Sequence, residues 1–250
     1  MRDTPFRTSG RVAGEEFFGR TELIRTIIRN LRAQKSVAIV GAPQSGKSSL
    51  LTILFKNYKR AERGALTWFT DMRELTSLDD LVEEFYIGMG SRAENHSLNT
   101  LAKNLKGFEK RLVMFIDAAE RLADPPFNEE ALFAVLATYM RNESISLCLA
   151  TVLPPELVLK NRVGQPLHTQ FIRCDLLPFT AAESYELVQK KLQFTGIHFT
   201  DGEIDQLYKD SKGNPADLQR LSADLFREKA SHELQAQEQT ARTGQSSRKR

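Results

Sequence analysis

Gly41-Ala42-Pro43-Gln44-Ser45-Gly46-Lys47-Ser48 has the residue types and spacing to grip a chain of phosphates. Gly41 and Gly46 let the backbone curl until its N–H groups converge on phosphate oxygens. A helix beginning there would aim its positive end at the same oxygens. Lys47 supplies a mobile positive charge for the terminal phosphates, and the Ser48 hydroxyl, with Ser49 beside it, is a ligand for Mg²⁺. The stretch fits G-x-x-x-x-G-K-[ST], and its context fits as well. An apolar, β-branched run, Ser36 to Val40, stands before it and a helical pattern follows.

Using a nucleoside triphosphate also takes a carboxylate in the magnesium shell. "LVMFID" supplies one in Asp117, at the C-terminal tip of a buried strand, where open α/β sheets bind ligands. The next position is Ala118, where many such enzymes carry a Glu that positions or deprotonates water. The nearest acid is Glu120, either that base displaced along the chain or a solvated surface acid. Thr151 ends another apolar run, "LCLAT", and is either a hydroxyl facing the terminal phosphate or an ordinary strand residue. Lys47, Asp117, Glu120 and Thr151 are therefore the candidate catalytic set, and Ser48 and Asp117 the candidate metal ligands. Arg141 and Arg162 flank this region and are candidates for an arginine acting in trans; both also read as surface arginines.

These residues must be positioned by the elements around them. Residues 21–34 carry Leu23, Ile24, Ile27, Ile28 and Leu31 at helical spacing, and 47–58 repeats the pattern. "ALTWFTDM", "RLVMFIDA", "SISLCLAT" and "TQFIRCDL" read as further strands. Helices over "SLDDLVEEFYIGMG" and "NEEALFAVLATYMRN" fall between them. Strands alternating with helices predict a parallel sheet covered on both faces, a three-layer α/β architecture. After Pro178 the strands stop and three helical patterns follow, two opening on Thr and two closing on Gly. The expected organisation is a loose N-terminus over 1–14, a nucleotide-binding core over 15–177, a small all-α lid over 178–230 and a disordered basic tail over 231–250.

Bulk properties narrow the function classes. Six basic and three acidic side chains between Arg227 and Arg250 account for the whole net charge of +3, so the remainder is near neutral. That argues against a broadly basic nucleic-acid face. Cys148 and Cys174 lie in apolar strand patterns and read as small hydrophobes, not as a disulfide or a zinc pair. Without an apolar run of membrane-spanning length or a secretory leader, the expected location is the cytoplasm, with no membrane partner.

With these pieces placed, the chain resembles the AAA+ and STAND groups of P-loop ATPases, in particular the origin-recognition-like and archaeal-type AAA ATPases. The resemblance spans roughly residues 15–230. It rests on "FFGR" before the first helix, "GAPQSGKSSLL", a strand running into "DMREL", "FIDAAER", "LLPFTAAES" and "KGNPADLQRL". It implies ATP and ADP as ligands, with Mg²⁺. Phe18, Gly19 and Arg20 would border the adenine, and Asn214 and Pro215 would open a lid helix facing the nucleotide. The Thr151 strand would lie between the strands ending in the phosphate loop and in Asp117. The lid helix lacks the Arg that many AAA+ proteins carry just after this turn, and Arg220 comes later. With Ala118, this points to a slow ATP-dependent switch acting through its own copies or a partner protein, with DNA a further candidate. The alternative is an adaptor that keeps the fold with little or no hydrolysis.

Overall fold

The computed structural model describes residues 3–12, 14–91, 97–159 and 166–246. The chain divides into two compact units, Ala13–Leu177 and Pro178–Arg250 together with Met1–Val12. The first unit runs α1 (Thr21–Arg32), β1 (Ser36–Val40), α2 (Lys47–Ala61), β2 (Ala65–Asp71), α3 (Leu78–Gly88), α4 (Leu98–Lys106), β3 (Arg111–Asp117), α5 (Glu130–Arg141), β4 (Ile145–Thr151), the single turn α6 (Pro155–Val158) and β5 (Phe171–Asp175).

Five parallel strands form one sheet in the order β2-β3-β4-β1-β5. β4 thus lies between β1 and β3, as the resemblance implied, with Val40 opposite Thr151 and Asp71 opposite Asp117. The central strands read as unbroken apolar runs because both faces are covered. The pleat then sorts their side chains with a period of two. Val37, Ile39, Val113, Phe115, Cys148 and Ala150 pack with Ile27 and Leu31 of α1 and Leu50, Leu51 and Leu54 of α2. Ala38, Leu112, Met114, Ile116, Leu147 and Leu149 pack on the other face with Val82, Phe85, Leu101, Phe133 and Leu136 of α3, α4 and α5. At the sheet edge, β5 is only partly buried, and its Arg173 pairs with Asp175 at 2.8 Å. Both cysteines are free thiols, and burial raises the pKa of each.

Local signals explain the helix starts. Ser77 accepts from the Asp80 N–H, and the Asp80 carboxylate accepts from the Ser77 N–H, closing a reciprocal cap on α3. α4 was not anticipated, since nine residues with Leu101 and Leu105 buried leave little periodic signal. Its start at Ser97 nonetheless carries the same type of cap, closed by Thr100.

The second unit holds α7 (Ala181–Leu192), α8 (Asp201–Ser211) and α9 (Pro215–Ser246). Thr180 with Glu183 and Thr200 with Glu203 form the caps that open α7 and α8. Two sequence expectations are corrected here. The N-terminal segment is anchored rather than loose: Phe6 is buried, lies 6.1 Å from Phe199 in a stacked pair and 6.5 Å from Phe226 edge-on. The Arg7 N–H also donates to Gln219. Disorder was expected from Ser231, but α9 continues to Ser246. Ala, Glu and Gln make up half of residues 231–246 and no Pro interrupts them, a composition that favours helix despite Gly244. Residues 247–250, the end of the basic tail, lie outside the described residues. No described helix is long and apolar enough to cross a membrane.

Candidate functional site

The phosphate loop connects the end of β1 to the start of α2. Its entry is fixed by the Gly41 N–H, which donates to Thr151 O at 3.2 Å, and by the Leu176 N–H, which donates to Val40 O at 2.7 Å. The curl is tight enough to require Gly41. A Cβ there would stand 2.8 Å from Ser45 Oγ and 3.1 Å from the Leu176 Cβ. Gly46 adopts φ 94° immediately before α2, a conformation that side chains resist. Gln44, with φ 60°, makes the other left-handed turn of the loop. Ser45 Oγ is buried without a hydrogen-bond partner among the described residues. A buried hydroxyl left unmatched costs stability unless something fills the need. An unmatched hydroxyl, which has a hydrogen to donate, fits the loop to an acceptor-rich ligand such as phosphate. Lys47 folds back, donating to Gly41 O at 2.9 Å and Ala42 O at 2.7 Å. Burial lowers the pKa of this ammonium, and the charges of Glu120 and Asp117 oppose the shift. Both carboxylates therefore belong to the surroundings of Lys47.

Asp117 is almost fully buried at the tip of β3. Its Oδ1 accepts from the Ala118 N–H at 3.0 Å, and its Oδ2 accepts from Arg73 Nη2 at 2.9 Å. Ala118 has φ 51°, a left-handed conformation that costs an L-residue about 1–2 kcal/mol. The kink sends the chain into a short 3₁₀ turn, Ala119–Ala123. Glu120 thereby comes to the end of β4, where its Oε2 accepts from the Val152 N–H at 3.2 Å. Ala118 itself is buried, a member of the same apolar cluster as Met72, Leu75, Ala119 and Leu122.

Thr151 is at the strand end where it was expected, but its hydroxyl is engaged locally. It donates to Leu153 O and accepts from the Leu153 N–H, both at 3.0 Å. A hydroxyl has one hydrogen to give, so this turn must open before Thr151 can donate elsewhere. Arg141 ends α5 just before β4 begins, at the opposite end of the sheet from the phosphate loop. Arg162 lies outside the described residues.

One charged group escaped the sequence reading. Arg73 sits in the 3₁₀ turn Met72–Glu74 after β2 and bridges two carboxylates. Its Nε donates to Asp71 Oδ1 at 2.8 Å, while Nη2 reaches Asp71 Oδ2 at 2.7 Å and Asp117 Oδ2 at 2.9 Å. The hydrogen bond to Asp71 raises the Arg73 pKa, with Asp117, Asp71 and Glu120 adding to it against burial. The available signal was the parallel between "FTDMR" and "FIDAA": both strands end in Asp, and these two residues pair in register. Arg121 supports the assembly from outside. It donates to Met72 O and Leu75 O and lies over the Phe127 ring, tying the turn after β2 to the turn after β3.

Before α1, Phe17 packs onto the α1–α2 face, and Gly19 and Arg20 both have positive φ, 70° and 62°. The Arg20 guanidinium donates to Leu177 O, one residue beyond the Leu176 that touches the phosphate loop. Arg20 thus reaches the segment after β5 that also borders the loop.

The sequence profile of "Novel STAND NTPase 1" matches residues 9–244. The chain belongs to this STAND NTPase family. No curated protein matches it. Among solved structures, a Walker-type ATPase of Pyrococcus abyssi is similar, with TM-score 0.66 and 17% identity over 97% of this chain and 78% of that one. The ORC2 protein of Aeropyrum pernix, solved as ADPNP–ADP complexes, is similar with TM-score 0.57 and 15% identity over 85% of this chain. The ORC1 protein of the same organism, solved with DNA, gives 0.58 and 14% over 81%. The chain spans 64% and 58% of the lengths of those two ORC proteins. At such identities the likeness is one of fold, that of AAA+ P-loop ATPases.

In this STAND NTPase the Gly213-Asn214-Pro215 turn has a structural explanation within its own unit. Gly213 has φ 73°, and a Cβ there would fall 2.2 Å from Phe179 O. Asn214 Oδ1 accepts from the Ala216 and Asp217 N–H groups at 2.9 and 3.3 Å, capping α9, and Pro215 takes the first helical position. Arg220 pairs with Asp217 at 3.1 Å on the exposed face of α9.

Proposed function

We propose that this STAND NTPase binds ATP and ADP with Mg²⁺ and works as a slow nucleotide switch. The observation that carries the reading is a glycine-shaped loop at the C-terminal end of β1, on the same end of the parallel sheet as Asp117, whose buried Ser45 hydroxyl has no partner among the described residues. Lys47 would exchange its two carbonyl acceptors for terminal phosphate oxygens, gaining charge-assisted hydrogen bonds. The N–H groups opening α2 would hold the remaining phosphate oxygens. Ser48 and Asp117 are the residues that would hold Mg²⁺, which supplies neutralisation of phosphate charge when bound. Phe18, Gly19 and Arg20 would border the adenine.

Glu120 is the group to orient or deprotonate the attacking water, since position 118 carries a buried alanine and Glu120 is the nearest acid along the chain. The grip of the Val152 N–H on Glu120 and the closed turn at Thr151 both argue for slow turnover. The helical unit would act as the lid, with Asn214 and Pro215 at its nucleotide-facing helix. The switch would be read out by its own copies or a partner protein in the cytoplasm, and the likeness to a DNA-bound ORC1 protein makes DNA a partner to include. The engaged Thr151 hydroxyl favours one alternative, an adaptor that binds nucleotide without hydrolysing it.

The test is ATP and ADP affinity and turnover for the wild type, Lys47→Ala and Glu120→Gln, each with and without duplex DNA. The switch predicts wild-type binding lost in Lys47→Ala, and slow turnover lost in both variants. Binding without turnover would establish the adaptor, and no nucleotide affinity in the wild type would refute both.

A further inference from the structure

The Mg²⁺ carboxylate, Asp117, is held by a cation of the chain's own. Arg73 Nη2 lies 2.9 Å from Asp117 Oδ2 and 2.7 Å from Asp71 Oδ2, between two carboxylates that are almost fully buried. Two such anions on paired positions of neighbouring strands repel each other strongly away from water, so a cation between them is an electrostatic need. The Arg73 side chain itself is half exposed. It is also tethered independently of Asp117, because its Nε and its backbone N–H both donate to Asp71 Oδ1, at 2.8 and 3.1 Å. Arg73 can therefore let go of Asp117 by giving up one hydrogen bond while keeping its seat on Asp71. A divalent cation approaching Asp117 meets this guanidinium directly, and the two positive charges exclude each other.

We propose that Arg73 is a positioning residue that holds Asp117 in the metal-free state and yields it when a divalent cation arrives. The inference rests on the nucleotide-binding reading above. It makes nucleotide capture and metal capture separate steps with opposite demands on Arg73. In the metal-free state the guanidinium screens Asp71 and Asp117 from the incoming phosphates, which favours nucleotide. In the metal-loading step the same charge opposes the metal.

The opposite signs make the test sharp. With the full chain, Mn²⁺ affinity is measured by the electron paramagnetic resonance signal of the free ion, with and without ADP. ADP affinity is measured separately in excess chelator. The proteins are wild type, Arg73→Gln and Arg73→Lys, with circular dichroism as the check on folding. Arg73→Gln should bind Mn²⁺ about tenfold more tightly and ADP in chelator several-fold more weakly, as expected for removing one nearby positive charge. Arg73→Lys keeps the charge and should return ADP affinity close to wild type. A merely structural role would weaken both ligands together, and that result, or two unchanged affinities, overturns the proposal. The Mn²⁺ titration without ADP reads the competition for Asp117 directly. A wild type that fails to bind ADP would thus refute the nucleotide reading, while the Mn²⁺ comparison still decides this one.

Discussion

Ala118→Glu places an acid where many P-loop ATPases carry one, and the structure predicts a damaged protein rather than a faster enzyme. Ala118 is 8% exposed and belongs to the buried apolar cluster that also holds Met72, Leu75, Ala119 and Leu122. A glutamate there adds four heavy atoms, one methylene and an ionisable carboxyl, to a buried apolar cluster. Overpacking a core costs about 1–3 kcal/mol. Burying a polar head without a partner adds about 1–3 kcal/mol by mutational measures. The expected loss is about 4 kcal/mol. The assay is urea unfolding followed by Trp68, the chain's single tryptophan, which lies in β2 and donates from its indole to Glu84 at 2.7 Å. With a urea slope of about 3 kcal/mol per molar, the midpoint should fall by roughly 1.3 M. ATP turnover, measured where the variant is still folded, should not rise. A variant that unfolds at the wild-type midpoint and hydrolyses ATP faster would refute the assignment of this position to the core.

Three further outcomes follow from local geometry. Gly213→Ala forces a Cβ to within 2.2 Å of Phe179 O and disturbs the 2.8 Å bond from the Phe179 N–H to Gly213 O. Left-handed strain and a lost hydrogen bond together cost about 3 kcal/mol, read as a lower melting temperature by circular dichroism; an unchanged melt would contradict the close approach. Phe6→Ala removes the ring packed on Phe199 and Phe226 and should cost about 3 kcal/mol, with faster proteolysis of residues 1–12 as a second readout. The Asp80 carboxyl is pulled down to about 2, first by the Thr76 N–H and then by the Thr76 and Ser77 hydroxyls. Its contribution to stability should be complete above the ordinary carboxylate pKa and be lost as pH falls through about 2. An Asp80 titration near the ordinary value, followed by NMR, would rule out this cap.

Most of the scaffold was legible in the sequence because its signals are local. The strands were readable because a parallel sheet covered on both faces needs continuous apolar runs, and the helices because Ser77, Thr180 and Thr200 each announce a start with an acid three residues later. The phosphate loop was readable because only glycine relieves the crowding at Gly41 and the positive φ at Gly46. α4 was missed for want of length. The anchoring of the N-terminus was missed because Phe6 is one aromatic in a polar stretch, and its partners Phe199 and Phe226 lie some two hundred residues away.

The site divides along the same line. By itself the sequence determined which groups could act: a lysine after two spaced glycines, an aspartate at a strand tip, and an acid three positions beyond it. Only the tertiary structure decided what each is free to do. The left-handed kink at Ala118 turns that position into the core and brings Glu120 back to β4, a choice of backbone basin that neither residue type imposes. The Thr151 hydroxyl closes a turn with Leu153, and the pairing of β2 with β3 sets Asp71 beside Asp117 with Arg73 between them. Charge effects depend on distance and burial, and strand neighbours separated by more than forty residues acquire both only when the sheet forms.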